Sequence, residues 1–307
     1  MNAFIDLVVA LRTRPWALSS NGLSSVIALV ERSAFTASPD RSLTRRAGPP
    51  SGLGAKRGQV GRTAVISIIG YIEPRPSVFT MLGIGSAASD ISRALRTALA
   101  DSGVDRIVLD IDSPGGSVFG VDELASEIRA ANATKPIIGI ANSVAASAAY
   151  WIGSAATELY VTPGGQVGSI GIVAAHEDVS QSLKAAGVSI TLITAGKHKA
   201  EGNPYGPLGS EARANLQAEV DSYGGDFTRA VARGRGVSVE TVRRDMGQGR
   251  MLRGAAAVAA HMVDGVMTFD DVMAGARLGT AAGGRKTYAG MPRALARSLR
   301  ELDILAS

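Results

Sequence analysis

The amino-acid sequence predicts an α/β fold built from parallel βαβ units and followed by a helical C-terminal part. Apolar, β-branched runs at residues 64–72 and 106–112, and around Ile137, Ile138 and Ile140, indicate strands. Because these runs lack a regular polar alternation, they are typical of strands that are buried on both faces of a sheet. Segments with apolar residues at helical spacing separate the runs, and this order favours right-handed crossovers between parallel strands.

Residues 1–60 are predicted to be an appendage to this core. Residues 19–21 (SSN) supply a helix N-cap signal, and apolar residues follow at helical spacing within residues 23–30. Residues 38–59 are rich in Pro, Gly, Ser and Arg, which is typical of a linker. We therefore expect an N-terminal helix and a flexible linker, with the helix docked either on the main domain or on a partner.

The main domain is expected over residues 61–278. After its first strand, further strands are expected at 106–112, before Ser147, at 159–162, at 169–173 and at 188–194. Helices are expected between them: one capped by Ser89 and Asp90, one through Val121 and Ala131, and one at 180–186. Beyond Gly209 the sequence predicts mainly helices. Residues 279–307 are expected to form a basic C-terminal tail with a short amphipathic helix.

Composition excludes several classes of protein and of site. With 46% hydrophobic and 19% charged residues, the sequence is typical of a globular protein. The net charge is +5, but the arginines are scattered, which suits a solvated surface better than a nucleic-acid groove. The sequence contains no cysteine, so disulfides, a thiol nucleophile and cysteine-ligated zinc are excluded.

Neither a membrane anchor nor a secretion signal is expected. The opening run MNAFIDLVVALR contains Asp6, lacks a basic start and is too short to cross a bilayer. No other stretch of the sequence reaches the roughly 18 apolar residues that a spanning helix needs. The sequence therefore predicts a soluble, cytoplasmic protein.

Ser147 is the first candidate for chemistry, since it lies where an apolar strand gives way to a helix within Ala145–Ala149. Only small side chains surround it, so its hydroxyl can be accessible. The N–H groups that follow lie at a helix N-terminus, where they can bind developing negative charge. The alternative is an ordinary helix start in which the Ser147 hydroxyl is the N-cap.

A proton acceptor for this serine could be a histidine or a lysine. The histidines are His176, His198 and His261; the last falls within an Ala-rich segment predicted as a helix, and no pair has metal-ligand spacing. Lys197 and Lys199 lie in the loop after the last predicted strand. A lysine in a pocket that excludes water is held neutral more easily and can accept a serine proton, whereas loop lysines are more often solvated charges.

Residues 112–117 (DSPGGS) separate a strand from a helix. Gly115 and Gly116 let the backbone approach a ligand and direct N–H groups at an oxyanion. A simple turn between strand and helix would use the same residue types. The segment lacks the lysine and the spacing of a phosphate-binding P-loop, and the sequence has no GxGxxG dinucleotide motif.

Together these motifs resemble the signal peptide peptidase A (SppA) family, whose members are Ser-Lys peptidases with the ClpP/crotonase fold. The resemblance rests on the order of four motifs, which are D-S-P-G-G at 112–116, A-A-S-A-A-Y-W-I-G-S-A-A at 145–156, V-G-S-I-G at 167–171 and G-K-H-K…P at 196–204. Further matches at 249–252 and 262–264 extend it, so that the resemblance covers approximately residues 63–275.

The resemblance implies a role for each matching residue. It implies that Ser147 is the nucleophile, that Lys199 is the general base, that Ser169 orients this lysine, and that Gly115, Gly116 and the N–H of Ala148 form the oxyanion site. Neither a metal nor another cofactor is implied. One departure is that the usual Gly-Gly after the nucleophile is Ala148-Ala149 here, so the loop must accept two Cβ atoms.

The missing membrane anchor, the N-terminal segment and the basic tail make the sequence more similar to the phage-encoded branch of that family. Members of this branch are prohead (head maturation) proteases of the lambda capsid-assembly-protease type, which cut scaffold, portal or capsid proteins. The resemblance implies protein substrates and a homo-oligomer, and it implies no nucleic-acid partner. The implied location is the host cytoplasm or the procapsid. The alternatives are a host-type signal peptide peptidase, a non-catalytic assembly scaffold and, ranked last, a crotonase-type acyl-CoA enzyme.

Overall fold

The computed structural model describes residues 62–275, together with the backbone of four short strands at 16–18, 54–57, 279–280 and 286–287. The helix predicted within the first 60 residues and the helix predicted in the C-terminal tail lie outside the described residues. The predicted domain limits, 1–60, 61–278 and 279–307, remain a prediction.

The strands are named in chain order. They are β1 (Trp16–Leu18), β2 (Gly54–Arg57), β3 (Arg62–Ile69), β4 (Tyr71–Glu73), β5 (Gly85–Ala87), β6 (Arg106–Ser113), β7 (Gly115–Ser117), β8 (Ile137–Ala146), β9 (Glu158–Val161), β10 (Gln166–Gly168), β11 (Met251–Arg253), β12 (Gly265–Val266), β13 (Gly279–Thr280) and β14 (Lys286–Thr287).

The helices are also named in chain order. They are α1 (Val78–Met81), α2 (Ala88–Ala100), α3 (Val121–Ala131), α4 (Ala148–Gly153), α5 (Ser180–Ala185), α6 (Ser210–Arg235), α7 (Val239–Asp245), α8 (Gly254–Ala259) and α9 (Phe269–Met273), with a 3₁₀ turn at Gly247–Gly249.

A largely parallel sheet forms the centre of the protein, in the strand order β11–β10–β8–β6–β3–β2. The strands β3, β6, β8 and β10 are parallel, whereas β2 and β11 are antiparallel to their neighbours at the two edges. The long β8 pairs with β9 through residues 138–141 and with β10 through residues 144–146. The predicted α/β fold, with parallel βαβ units and a helical C-terminal part, is therefore confirmed.

Both faces of this sheet are covered, which explains the unbroken apolar runs. Ile66 and Leu109 enter the main core with residues of α2, α3 and α4, whereas Val65 and Val108 enter a smaller cluster with Val272 of α9. Successive strand residues point to opposite faces, so the two clusters lie on opposite sides of the sheet. Burying each such aliphatic side chain contributes about 1.5–3 kcal/mol, and the sheet is thus a rigid base for whatever lies at its strand ends.

A second, smaller sheet has the strand order β1–β7–β4–β5. The strand β4 is parallel to both β5 and β7. The strand β1 is antiparallel to β7, with the residue pairs Trp16–Ser117, Ala17–Gly116 and Leu18–Gly115. The strand β7 therefore lies between β4 and β1.

Buried contacts join the C-terminal helices to the sheet and to α4. The Arg235 guanidinium, at the end of α6, donates to both carboxylate oxygens of Asp264 at 2.9 and 3.0 Å. Asp264 also accepts the N–H of Leu159 in β9 at 2.7 Å. Trp151 of α4 stacks on Phe227 of α6, with ring centroids 4.6 Å apart. These contacts fix α4, and with it the strand-to-helix junction before it.

Two predicted strands are wrong. Residues 188–194 form no strand, because no ladder partner pairs with them among the described residues. The strand expected at 169–173 is instead β10 at 166–168, and the chain leaves the sheet at Ser169, whose φ is 55°.

Two predicted helix features are also wrong. Ser89 and Asp90 lie in the first turn of α2, whose N-cap is Ala87. His261 lies beyond the end of α8 rather than inside a helix, and its φ of 59° places it in the left-handed region that ends helices.

Candidate active site

Ser147 directly follows β8 and is the N-cap residue of α4. Its backbone has φ 55° and ψ −118°, a combination that residues other than glycine rarely adopt. Such strain costs on the order of 1–3 kcal/mol and is retained mostly at functional sites, where the surrounding structure imposes it. A sharp, strained strand-to-helix turn is also how many hydrolases present a nucleophilic serine.

The Ser147 hydroxyl does not cap α4, so the N-cap alternative for this side chain is wrong. Its Oγ lies 3.5 Å from the carbonyl oxygen of Gly171, at the long limit of hydrogen bonding. Within residues 62–275, no acceptor takes the N–H of Ala148, the first residue of α4. A carbonyl carbon attacked by Ser147 would therefore have a free donor beside it for the developing oxyanion.

Ala148 and Ala149 stand where the resemblance to SppA-type peptidases implies a glycine pair, and both are fully buried. Their methyl groups belong to the main core. The turn therefore accepts the two Cβ atoms by packing them into the core. Ser147 is itself fully buried, so the expectation that its small neighbours leave the hydroxyl accessible is wrong for the described structure.

Ser169 occupies the equivalent position on the neighbouring strand. The strand β10 is parallel to β8, and Gly168 lies opposite Ala146. Ser169 and Ser147 are therefore the next residues after this pair on the two adjacent strands. The Ser147 N–H donates to the Gly168 carbonyl at 2.7 Å, and the Ser169 N–H donates to the Arg250 carbonyl at 3.1 Å. The structure thus brings the two serines together at the C-terminal ends of β8 and β10. Ser169 is also buried.

The predicted oxyanion glycines lie on β7, which packs against α4. Gly115 has φ 101°, and its N–H donates to the Ser113 hydroxyl at 3.1 Å. A Cβ on Gly116 would lie 1.9 Å from the carbonyl oxygen of Ile72 in β4, so the close approach of β4 requires glycine there. The structure thus places β7 against α4, the helix that Ser147 precedes, and the oxyanion role of the two glycines stays a prediction.

Lys199, the predicted base, is not hydrogen-bonded to Ser147 in the described part of the chain. Its side chain is exposed, and it makes no hydrogen bond or ion pair with any residue of the described chain. Its neighbour Lys197 is paired with Glu211 at 2.8 Å. The described chain therefore brings Ser147, Ser169 and the N–H of Ala148 together, and it shows no hydrogen bond from Lys199 to Ser147.

The histidines do not supply that base either. Within residues 62–275 none of them is hydrogen-bonded to Ser147, and His176 bonds the Asn203 carbonyl at 3.0 Å. The Glu201 carboxylate accepts a hydrogen bond from Nδ1 of His198, and this contact raises the pKa of His198. His198, Glu201 and Glu211 are close enough to ligate a cation, but they lie at the surface, where acidic groups commonly cluster without one.

Two features of the site have no signal in the sequence. The strand β1 has only three residues, and it lies in a segment that the sequence predicts to be an appendage. Three residues are too few to show the alternation of apolar and polar side chains that predicts a strand. The left-handed turn at Ser169 is equally hidden, because the Arg250 carbonyl that accepts the Ser169 N–H comes from a distant part of the chain.

Searched across its described residues, the structure contains no helix with both the length and the apolarity to cross a membrane.

Known proteins provide an independent comparison. Residues 129–282 match the profile of a family described as peptidase family S49. Capsid assembly protease C of Escherichia phage lambda is 31% identical over 273 residues, which are 87% of this chain and 62% of that protein. Head-tail preconnector protein GP5 of Enterobacteria phage P21 is 32% identical over 214 residues, which are 70% of this chain and 42% of that protein.

A putative signal peptide peptidase SppA of Enterococcus faecium is 27% identical over 180 residues. These residues are 58% of this chain and 52% of that protein. The chain therefore spans less than two thirds of the length of each of these three relatives.

Proposed function

Because this chain belongs to peptidase family S49, we propose that it is a serine endopeptidase with Ser147 as its nucleophile. The family match confirms the resemblance to SppA-type peptidases and agrees with a ClpP-like α/β fold. The observation that carries the proposal is the backbone of Ser147, strained at φ 55° beside the free N–H of Ala148.

The reaction is an acyl transfer in two steps. Lys199, in its neutral form, accepts the Ser147 proton while Oγ attacks the peptide carbonyl carbon. The N–H groups of Ala148 and Gly116 stabilise the oxyanion, and the lysine returns the proton to the leaving amine. Lys199 then deprotonates a water molecule that attacks the ester, and this step releases the new carboxyl end and restores Ser147. Ser169 orients the lysine, and no cofactor takes part.

The exposed position of Lys199 leads us to propose that the active form is a homo-oligomer. The segment around this lysine exposes several large apolar side chains, namely Val173, Val188, Ile190, Leu192, Ile193 and Tyr205. Ile193 is 95% exposed, which is unusual for an isoleucine and typical of a surface that a second chain covers. A contact between copies would exclude water from this segment, and a lysine ammonium that loses its water gives up its proton more readily.

The substrates that we propose are proteins of a phage head during its assembly. Two relatives carry names from this process, a capsid assembly protease and a head-tail preconnector protein, and the first matches 87% of this chain. Scaffold, portal or capsid proteins are the corresponding substrates, and the host cytoplasm or the procapsid is the corresponding place. The signal peptide peptidase match favours one alternative, the hydrolysis of cleaved signal peptides.

Casein cleavage by variants of the full-length protein tests the catalytic assignment. We expect Ser147→Ala and Lys199→Ala each to lower kcat/KM at least about a thousandfold, because both groups act on the reacting atoms. Lys199→Arg should be equally inactive, since arginine keeps the charge but does not become neutral. Lys197→Ala is the matched control, and it should keep its activity because Lys197 is paired with Glu211.

Each outcome decides between the candidate functions. Loss of activity in Ser147→Ala, Lys199→Ala and Lys199→Arg, with the far-ultraviolet circular dichroism unchanged, supports the Ser-Lys peptidase. Equal activity of Lys199→Ala and the wild type would overturn the assignment of the base. No cleavage by the wild type, combined with normal co-assembly of Ser147→Ala with head proteins, would favour a non-catalytic scaffold.

A further inference from the structure

The strand β7 carries Gly116, a proposed oxyanion donor, and the edge of β7 that faces away from β4 is paired with β1. Without β1, β7 would be the edge strand of the small sheet, because its other side pairs with β4. An edge strand presents unpaired N–H and C=O groups to any extended chain that comes near. Here the chain's own residues 16–18 take that position, antiparallel to Gly115–Ser117.

Extended peptides are commonly bound in this way, by adding a strand to the exposed edge of a sheet. The strand β7 contacts α4, the helix that Ser147 precedes, and it carries Gly116, a proposed oxyanion donor. A peptide that adds a strand to β7 is therefore bound to the strand that carries this donor. The edge of β7 is thus the place where a substrate main chain would bind, and β1 fills it.

The burial of the site agrees with an occupied edge. Ser147 has no exposed surface, and Gly115, Gly116 and Ser117 are all buried. A peptide carbonyl cannot reach Ser147 Oγ while this arrangement persists. Substrate entry therefore requires some part of the covering structure to leave.

We propose that residues 16–18 form a masking strand, which occupies the substrate-binding edge of β7 and must be displaced before a protein substrate binds. The proposal rests on the proposed peptidase function, which it deepens by naming how the site is regulated. Because the mask is tethered, it competes at an effective concentration of about a millimolar, whereas a free substrate competes at its own concentration. The mask therefore raises the apparent KM and leaves kcat unchanged.

Proline substitutions in the full-length chain test the mask with a built-in control. Successive N–H groups along a strand point to opposite sides, so one of Ala17→Pro and Leu18→Pro removes a donor from the β1–β7 ladder and the other does not. A backbone hydrogen bond is worth about twofold to tenfold in an equilibrium. We expect one of these variants to show a KM for casein about twofold to tenfold lower than the wild type, with kcat unchanged, and the other to match the wild type.

Hydrogen–deuterium exchange gives a second readout that does not depend on catalysis. Both proline variants are made in the Ser147→Ala background. In the variant whose proline removes a donor from the β1–β7 ladder, the peptide covering residues 115–119 should exchange about twofold to tenfold faster than without the proline. Equal exchange and equal KM in the wild type and both variants would overturn the proposal. So would accumulation of a product cut within residues 16–18 in the wild type but not in Ser147→Ala, because a strand that is hydrolysed is a substrate and not a mask.

The two readouts separate this proposal from the proposed function. If neither the wild type nor either proline variant cleaves casein, the peptidase assignment fails, and the exchange of residues 115–119 still decides whether β1 covers β7. If the wild type cleaves casein and Ser147→Ala does not, the peptidase assignment stands and the KM comparison decides about the mask.

Discussion

Ser147 and Ser169 have the same left-handed φ of 55°, and each directly follows the last residue of a parallel strand. The Ser147 N–H donates to the carbonyl of Gly168, the residue before Ser169. The two turns are therefore joined by a hydrogen bond at one edge of the sheet. A serine at φ 55° costs stability that glycine would not cost, so the side chain is kept there at the expense of folding free energy.

Substitutions at Ser147 should separate this strain from the chemistry. We expect Ser147→Gly to be more stable than Ser147→Ala by about 1 kcal/mol in urea unfolding, because glycine adopts φ 55° without a Cβ clash. Both variants lack the hydroxyl and should not cleave casein.

Ser154 provides the matched control for this comparison. It is also buried and lies at the other end of α4, but its φ is −64°. There the order should reverse, with Ser154→Gly less stable than Ser154→Ala by about 0.5–1 kcal/mol. If glycine were not the more stable substitution at residue 147, the strain attributed to this turn would be wrong.

At the scale of single residues, the sequence is informative where chemistry needs a small side chain. The alanines around Ser147 predicted a strand-to-helix junction, and the structure has one between Ala146 and Ala148. The sequence does not predict which conformation the junction takes, because the N-cap alternative uses the same residues. That choice depends on the Gly168 carbonyl, which comes from another strand.

At the scale of elements, the residue types that β7 can contain are limited by its packing between β4 and β1. Its central residue, Gly116, approaches β4 so closely that a Cβ would lie 1.9 Å from the Ile72 carbonyl oxygen. The contacting atom belongs to the backbone, so it cannot turn away as the end of a flexible side chain can. Glycine at this position is thus required by the fold as well as suited to an oxyanion site.

Gly116→Ala should therefore cost stability as well as activity. We expect a loss of about 1–3 kcal/mol in the free energy of unfolding, as for other overpacked sites. Gly164→Ala is the matched control, because a Cβ at Gly164 meets no atom within 4 Å, and it should change stability by less than about 0.5 kcal/mol. Equal stability of the two variants in urea would contradict the close approach of β4.

The elements that the sequence predicted correctly are those with a strong local pattern. The runs that became β3, β6 and β8 are buried on both faces, so their β-branched residues carry the signal. The run at 188–194 has the same residue types, yet it forms no strand. A strand needs a partner for its backbone groups as well as suitable side chains, and local sequence does not reveal whether that partner is present.

At the scale of the whole molecule, the described chain has a well-packed sheet and a much more exposed segment from about residue 173 to residue 205. This segment contains the proposed base, Lys199, and most of its large apolar side chains lie at the surface. Sequence motifs placed Lys199 in the site by their order, but order alone does not say from which copy of the chain a residue comes. The segment's apolar surface is the physical reason to expect an assembly.

Ile193→Asp tests that assembly directly. An isoleucine that becomes buried between chains contributes at least about 2 kcal/mol, so its loss should weaken association at least about thirtyfold. A carboxylate in the contact adds a desolvation cost. We expect the wild type to show a multiple of the chain mass by light scattering, and Ile193→Asp to show the mass of one chain and to lose casein cleavage.

Met81→Asp is the control for this substitution, because Met81 is 81% exposed and lies on α1, outside the segment that contains Lys199. It should leave both the mass and the activity unchanged. An active wild-type monomer would refute the assembly, since Lys199 would then have to reach Ser147 within one chain. An Ile193→Asp variant that stays oligomeric and active would instead show that this segment is not the contact that completes the site.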